Sequence, residues 1–372
     1  MSEAKLHART EAAEAAPIGI VRGFNPGWYG AVMGTAIVGV GAYLNPGSDR
    51  EVLTAAHDVG LAFVILAWAE AAALLVPYLM RLLRHRDAAL ADLSNPVLGP
   101  LYGTFPGALL VLATATATVG PSLISAHAIV VTVAVLASFG AAITLALGVA
   151  FTYFLFIDDG PRPDAANGGW FIPPVANIVI PLPLLVLLGH VDAPSARLLL
   201  LLGYASLGIG LVLFILVAVV LFSRLVFHPL PHAQLAPSLW IGLGPIGVGT
   251  LAILRLSDAS KPFFGAEATA IKSLSTVTAT VLWGFGLWWL ATAAALLVRY
   301  LRQGPLPYGI GLWAFTFPLG AYTVGTFQLG KSWGSDPVMW GAAGLLVLLA
   351  VFWFTVAGRT AKALVTGQAW ER

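Results

Sequence analysis

Glu70 is a carboxylate near the middle of an apolar run of about thirty residues. A charge at such a depth costs at least about 3 kcal/mol in hydrocarbon, so it asks for a reason. It is either a proton-binding group that couples solute movement to a proton gradient, or a hydrogen-bonded carboxyl that locks one helix to its neighbour. His228 and His232 are four apart, a spacing that could put two imidazoles on one helix face for a metal. Pro229 and Pro231 break any such helix, so an interfacial loop is expected and no metal site. Residues Gly325 to Ser332 read Gly-Thr-Phe-Gln-Leu-Gly-Lys-Ser, the spelling of a nucleotide phosphate loop. That loop needs a strand before it and a helix running on from the lysine. Here an apolar helix-length block precedes it, and Gly334, Asp336 and Pro337 follow. Gly242-Leu243-Gly244-Pro245-Ile246-Gly247 spells a dinucleotide fingerprint, but within a membrane-length block that offers no strand-helix-strand unit. With no cysteine there are no disulfides, thiolate ligands or thiol nucleophiles. Neither nucleotide nor cofactor is expected, and no nucleophile–base or acidic pair marks the chain as an enzyme.

What positions these residues is a set of apolar blocks. Of 372 residues, 59% are hydrophobic and 10% charged, against roughly 25% charged in a soluble domain. Net charge is +2, so there is no basic face for nucleic acid. The blocks number ten, at about 28–46, 55–83, 98–118, 126–156, 169–189, 195–226, 236–256, 272–300, 307–330 and 336–358. Most reach the roughly 20 residues needed to span a bilayer core. The odd blocks carry proline: Pro26, Pro106, Pro173, Pro174, Pro181, Pro183, Pro237, Pro245 and Pro318. The even ones are almost free of it, apart from Pro77 and Pro337 near their ends. Proline frees backbone carbonyls, which at membrane depth must face protein or water. The expected fold is therefore all-α integral membrane, with ten transmembrane helices as five helical hairpins, the odd helices inner and proline-kinked, the even ones outer.

Placing both termini in the cytoplasm puts thirteen of the 19 basic residues on that side, including Arg22, Arg81, Arg224 and Arg359. Arg50, Arg197, Arg255, Lys261, Lys272 and Lys331 then lie outside. Residues 1–24 lack the apolar core of a signal peptide and read as a cytoplasmic tail, 25–360 as the membrane domain and 361–372 as a second short tail.

Four stretches carry a resemblance: Asn25-Pro26-Gly27-Trp28-Tyr29 with Val32-Met33-Gly34-Thr35; Thr104-Phe105-Pro106-Gly107; Pro237 through Pro245; and Trp313-Ala314-Phe315-Thr316-Phe317-Pro318-Leu319-Gly320. In order and spacing the chain resembles the tellurite-resistance/dicarboxylate transporter family, which includes slow anion channels, malate permeases and sulfite exporters. The resemblance implies a homotrimer in a bacterial-type inner membrane, surrounded by lipid, each protomer having its own central pore. It also implies a phenylalanine gate on the ninth helix, best matched by Phe317, with Phe315 as the other choice.

A bare anion in an apolar lumen would face a Born cost of tens of kcal/mol, so an open pore must be wet and lined by small groups and backbone. The odd blocks hold no charged side chain in their apolar cores and supply Gly30, Gly34, Thr35, Gly103, Thr104, Gly107, Gly242, Gly244, Gly247, Thr316, Gly320 and Thr323 as candidate lining. Helix N-termini would favour anions without trapping them. The expected function is transport of small anions, inorganic or dicarboxylate, through a pore that Phe317 gates. The rival is a proton-coupled dicarboxylate or sulfite transporter that uses Glu70.

Overall fold

The structure is a computed structural model that describes residues 19–45, 54–157 and 163–370. Expectations resting on residues 1–18, Arg50, Arg162 and Arg372 lie outside it. The described residues form twelve α-helices and no strand. They are α1 (Tyr29–Leu44), α2 (Thr54–Arg84), α3 (Arg86–Leu93), α4 (Thr104–Val119), α5 (Ala126–Ile157) and α6 (Ile172–Val179). Then follow α7 (Pro181–Leu187), α8 (Ala193–Phe227), α9 (Leu243–Phe264), α10 (Ala268–Gln303), α11 (Phe317–Trp333) and α12 (Asp336–Thr366).

Eight helical stretches are long and apolar enough to cross a membrane, where the sequence reading expects ten. The difference has two sources. Ala233–Gln303 is one uninterrupted stretch of 71 residues, several times what a core of about 30 Å requires. It holds α9 and α10, which turn at Gly265, φ +51°, and pack back against each other. Helix α11, at 17 residues, is short.

The proline-bearing runs are the buried ones. Within 18-residue windows of Pro26–Leu44, Gly99–Ser122 and Gly168–His190, 72 to 83% of residues are buried, against 17 to 28% in windows of the long proline-poor stretches. Outward on α2, α5, α8, α10 and α12 stand Leu66, Val149, Val219, Val281 and Val351, all exposed. Each would cost about 1.5–3 kcal/mol in water, so hydrocarbon is the solvent that suits this surface.

The buried runs share one local design. Each begins as a 3-10 turn, at Pro26–Trp28, Gly99–Gly103, Gly168–Phe171, Ala233–Gly242 and Ile310–Phe315, and continues as α-helix. Pro106, Pro173, Pro245 and Pro318 fall within the first turn of α4, α6, α9 and α11, where a missing N–H leaves no bond unmade. These prolines mark the 3-10 to α junction rather than a mid-helix kink. Pro181 is different, because it divides the fifth run into α6 and α7.

Packing closes these runs into a ring: α1 on α4, α4 on α6, α6 on α9, α9 on α11, and α11 back on α1. Helices α2, α5, α8 and α10 each pack against the two buried runs beside them in sequence, and α12 packs against α11 and α1. Close approach is set by glycine: a Cβ on Gly247 would lie 2.3 Å from the Tyr322 nitrogen, and one on Gly39 would lie 2.7 Å from the Gly60 oxygen. Polar bonds tie outer helices to inner ones. Trp68 donates to Thr116 (3.1 Å), Trp283 to Thr326 (2.9 Å) and Trp353 to Thr35 (3.0 Å), the kind of interhelical bond that helps where lipid competes with apolar contact.

Candidate functional site

The five 3-10 turns converge on one cavity of about 330 Å³. Every buried run contributes to its wall: Gly30 and Met33, Leu101 and Thr104, Ile172 and Val175, Ser238 and Ile241, and Trp313 with Phe317 and Pro318. None of the described residues lining it is charged. Amides and hydroxyls of Asn25, Asn167, Gln234, Ser238, Tyr308 and Gln368 join the wall outside the α-helical parts of these runs. Further along the helices the wall is apolar, at Met33, Val175 and Phe317. Gly23 and Gln368 both line it, so the two ends of the described chain reach the same face.

Asparagines shape the wall. Asn25 accepts from the Gly27 nitrogen and Asn167 from the Gly169 nitrogen, both at 2.8 Å, which caps two of the 3-10 turns. Asn167 also donates to Ala165 and Pro96 carbonyls. Arginines at the ends of outer helices hold the loops that lead into the turns. Arg81, 1% exposed, pairs with Asp92 and donates to the carbonyls of Arg22 and Phe24. Arg224 reaches the carbonyls of Asp164 and Pro229, and Arg359 that of Leu306 at 2.6 Å. A buried guanidinium without such partners would cost several kcal/mol. In the sequence these arginines signal only orientation, because nothing local shows which carbonyls they meet.

The cavity brings together part of the expected lining. Gly30, Thr104 and Phe317 lie on it; Gly34, Thr35, Gly103, Gly107, Gly242, Gly244, Gly247, Thr316, Gly320, Thr323 and Phe315 do not. Several of these have other neighbours. Gly34 packs on Thr316 and Trp313, Gly103 on Ile172, Gly242 on Trp289, Gly320 on Ile37, and Gly247 on the Tyr322 backbone. Thr316 and Thr323 donate to carbonyls within their own segments, Trp313 at 2.7 Å and Leu319 at 2.8 Å. Phe315 turns outward onto Trp240 and Phe352, with ring centroids 5.5 and 5.2 Å away. Two residues on, Phe317 opens α11 and faces the cavity at 6% exposure.

Glu70 sits apart from the cavity. Its Oε1 accepts from Thr35 at 3.1 Å, Thr35 accepts from Trp353, and its Oε2 is buried with no hydrogen-bond partner. The network joins α1, α2 and α12. The phosphate-loop spelling lies wholly inside or at the edge of α11, with Gly325 against Gly247, and leaves no loop to cradle a phosphate. His228 ends α8 and His232 precedes the next turn; among the described residues no group of three metal-ligating side chains gathers.

Five helical runs open at its wall, and in three of them the first α-helical residue, Thr104, Ile172 or Phe317, lines the cavity. The wall offers amides and hydroxyls, and none of its described residues is charged.

The chain is similar to known membrane transporters and channels. Residues 23–361 match the SLAC1 family of voltage-dependent anion channels. An uncharacterized transporter of Methanocaldococcus jannaschii is 32% identical over 358 residues, covering 95% of this chain and 96% of that protein. A sulfite efflux pump of Trichophyton rubrum is 28% identical over 344 residues, covering 85% and 84%. A malic acid transport protein of Schizosaccharomyces pombe is 24% identical over 201 residues, covering 51% and 45%.

Proposed function

The chain belongs to the voltage-dependent anion channel family, and we propose that it passes small anions across a membrane through the axis of its ring of buried helices, with Phe317 as the gate. The observation that carries this reading is the uncharged cavity to which all five buried runs contribute, with a phenyl ring on its apolar part. An anion entering there meets amides, hydroxyls and helix N-termini. It then meets Met33, Val175 and Phe317, which belong to one apolar cluster that continues through Ile37, Val40, Val179 and Val324. Such a cluster excludes water, and an ion cannot follow at low dielectric. Rotation of the Phe317 ring off the axis opens the path.

In this reading ten helices cross the bilayer as five hairpins, α10, α12 and the other outer helices meeting lipid or the neighbouring protomers of a homotrimer. Both ends of the chain face the cytoplasm of a cell whose inner membrane holds the protein, with Arg22, Arg81, Arg224 and Arg359 on that side. Candidate cargoes are chloride, nitrate, sulfite and malate. The sulfite and malate transport named for two relatives brings the latter two onto this list.

A second reading is supported by the unpartnered Oε2 of Glu70: a proton on that carboxyl would be released and rebound as α1, α2 and α12 shift, coupling transport to a proton gradient. One experiment separates the two. Anion flux is measured into proteoliposomes holding wild-type protein, Phe317→Ala or Glu70→Gln, at two pH values. The gated pore expects faster passage of several anions in Phe317→Ala, little pH dependence and no effect of Glu70→Gln. Flux confined to one acid, driven by a proton gradient and lost in Glu70→Gln, replaces it with the coupled transporter. A well-folded Phe317→Ala with wild-type flux removes the gate.

A further inference from the structure

Resting on the pore reading, we propose that Met33 is a second closing residue of the lumen and that Gly107 is the seat its thioether occupies when the path is shut. Met33 lines the same cavity as Phe317, is 4% exposed, and shares one apolar cluster with Phe317 and Val175. It lies one turn into α1, and α1 is packed between α4 and α11 in the ring. On α4, a Cβ at Gly107 would fall 3.2 Å from the Met33 Cε and 3.3 Å from its Sδ. The absent side chain is therefore the space that holds the thioether.

The same arrangement recurs around the axis. On α9, a Cβ at Gly244 would lie 3.3 Å from Val175 Cγ2 and 3.8 Å from Pro318 Cβ. Bulky residues from α1, α6 and α11 thus alternate with glycines from α4 and α9. Side chains that close the lumen need somewhere to rest, and the two glycines provide it.

Methionine suits such a post, because an unbranched thioether changes rotamer at low cost while still filling an apolar gap. Phe317, by contrast, is a rigid ring beside a proline. If both residues close the path, removing one ring leaves a partial obstruction. A methyl at Gly107 leaves the thioether too little room by a few tenths of an ångström, so Met33 must shift toward the lumen that it lines, which narrows it.

The test uses the full-length protein in proteoliposomes with nitrate as the anion, in the Phe317→Ala background so that flux is measurable. Met33→Ala added there is expected to raise flux severalfold further, and Gly107→Ala to lower it severalfold. With Met33→Ala and Gly107→Ala together, the lowering disappears, since no thioether remains to be displaced. A melting temperature of Gly107→Ala equal to that of its parent shows that the lowering is not misfolding. Equal loss of flux from Gly107→Ala whether residue 33 is methionine or alanine overturns the inference, as does unchanged flux in Met33→Ala. If Phe317→Ala alone passes no anion, the pore reading falls and this inference with it; if it conducts and Met33 has no influence, only the inference falls.

Discussion

Replacing Arg81 by methionine should be among the most damaging single changes outside the ring of helices. Its guanidinium is 1% exposed, pairs with Asp92, and donates to the carbonyls of Arg22 and Phe24, the latter at 2.6 Å. Asp92 is itself 6% exposed and has the Tyr102 hydroxyl at 3.4 Å as a weaker partner. Methionine keeps most of the volume but leaves that carboxylate buried beside a neutral side chain. Breaking a buried pair from one side costs about 3–5 kcal/mol, and each carbonyl deprived of its donor adds about 1–3 kcal/mol where water cannot replace it. Arg81→Met with Asp92→Asn removes both charges together, so most of the ionic part should return while the carbonyl part remains lost. The assay is denaturant unfolding in detergent, read by the fluorescence of the 12 tryptophans. A single mutant within about 1 kcal/mol of wild type, or a double mutant whose loss equals the sum of the two single losses, would refute the claim that the pair is coupled and buried. Because Gly23 and Asn25 next to this clamp line the cavity, flux in the single mutant should fall as well.

Phe315→Ala should destabilise the protein by about 3–5 kcal/mol, as buried ring deletions do, without raising anion flux, because its ring packs on Trp240 and Phe352; a rise in flux equal to that of Phe317→Ala would reverse the assignment. Gly247→Val should prevent stable folding, since even a Cβ there would lie 2.3 Å from a backbone nitrogen, whereas Gly208→Ala, with nothing within 4 Å, should purify and melt like wild type. Asn167→Ala removes the cap on Gly169 and two carbonyl contacts, and should cost about 1 kcal/mol in unfolding experiments; a loss no larger than that of an exposed surface alanine would show that the cap is idle.

How much of this was legible beforehand varies residue by residue. The alternation of proline-bearing and proline-poor blocks foretold which runs are buried, because only a sheltered run can tolerate a disturbed backbone at membrane depth. The placement differed in detail: Pro106, Pro173, Pro245 and Pro318 stand in the first turn of an α-helix, where no bond is lost, Pro26 and Pro237 lie within 3-10 turns, and Pro181 divides its run in two. Of the small residues proposed as lining, Gly30 and Thr104 face the cavity, while Gly247 and Gly320 serve helix contacts. A glycine looks the same in sequence whether its bare side meets a lumen or a neighbouring helix. The polar wall at Asn25, Asn167, Gln234 and Tyr308 was missed, because short-range pattern gives no sign that five loops meet.

Sequence alone determined the solvent, the helical class and the absence of charge in the apolar cores of the odd blocks, since hydropathy and block length answer to the bilayer whatever the helices touch. Tertiary structure decided the rest. The closure of five runs into a ring, the choice of Phe317 over Phe315 as the ring facing the cavity, the seating of Met33 on Gly107 and the burial of Arg81 all depend on rotation about helix axes. Successive residues of a helix point about 100° apart, so a face is fixed only when neighbouring helices pack against it.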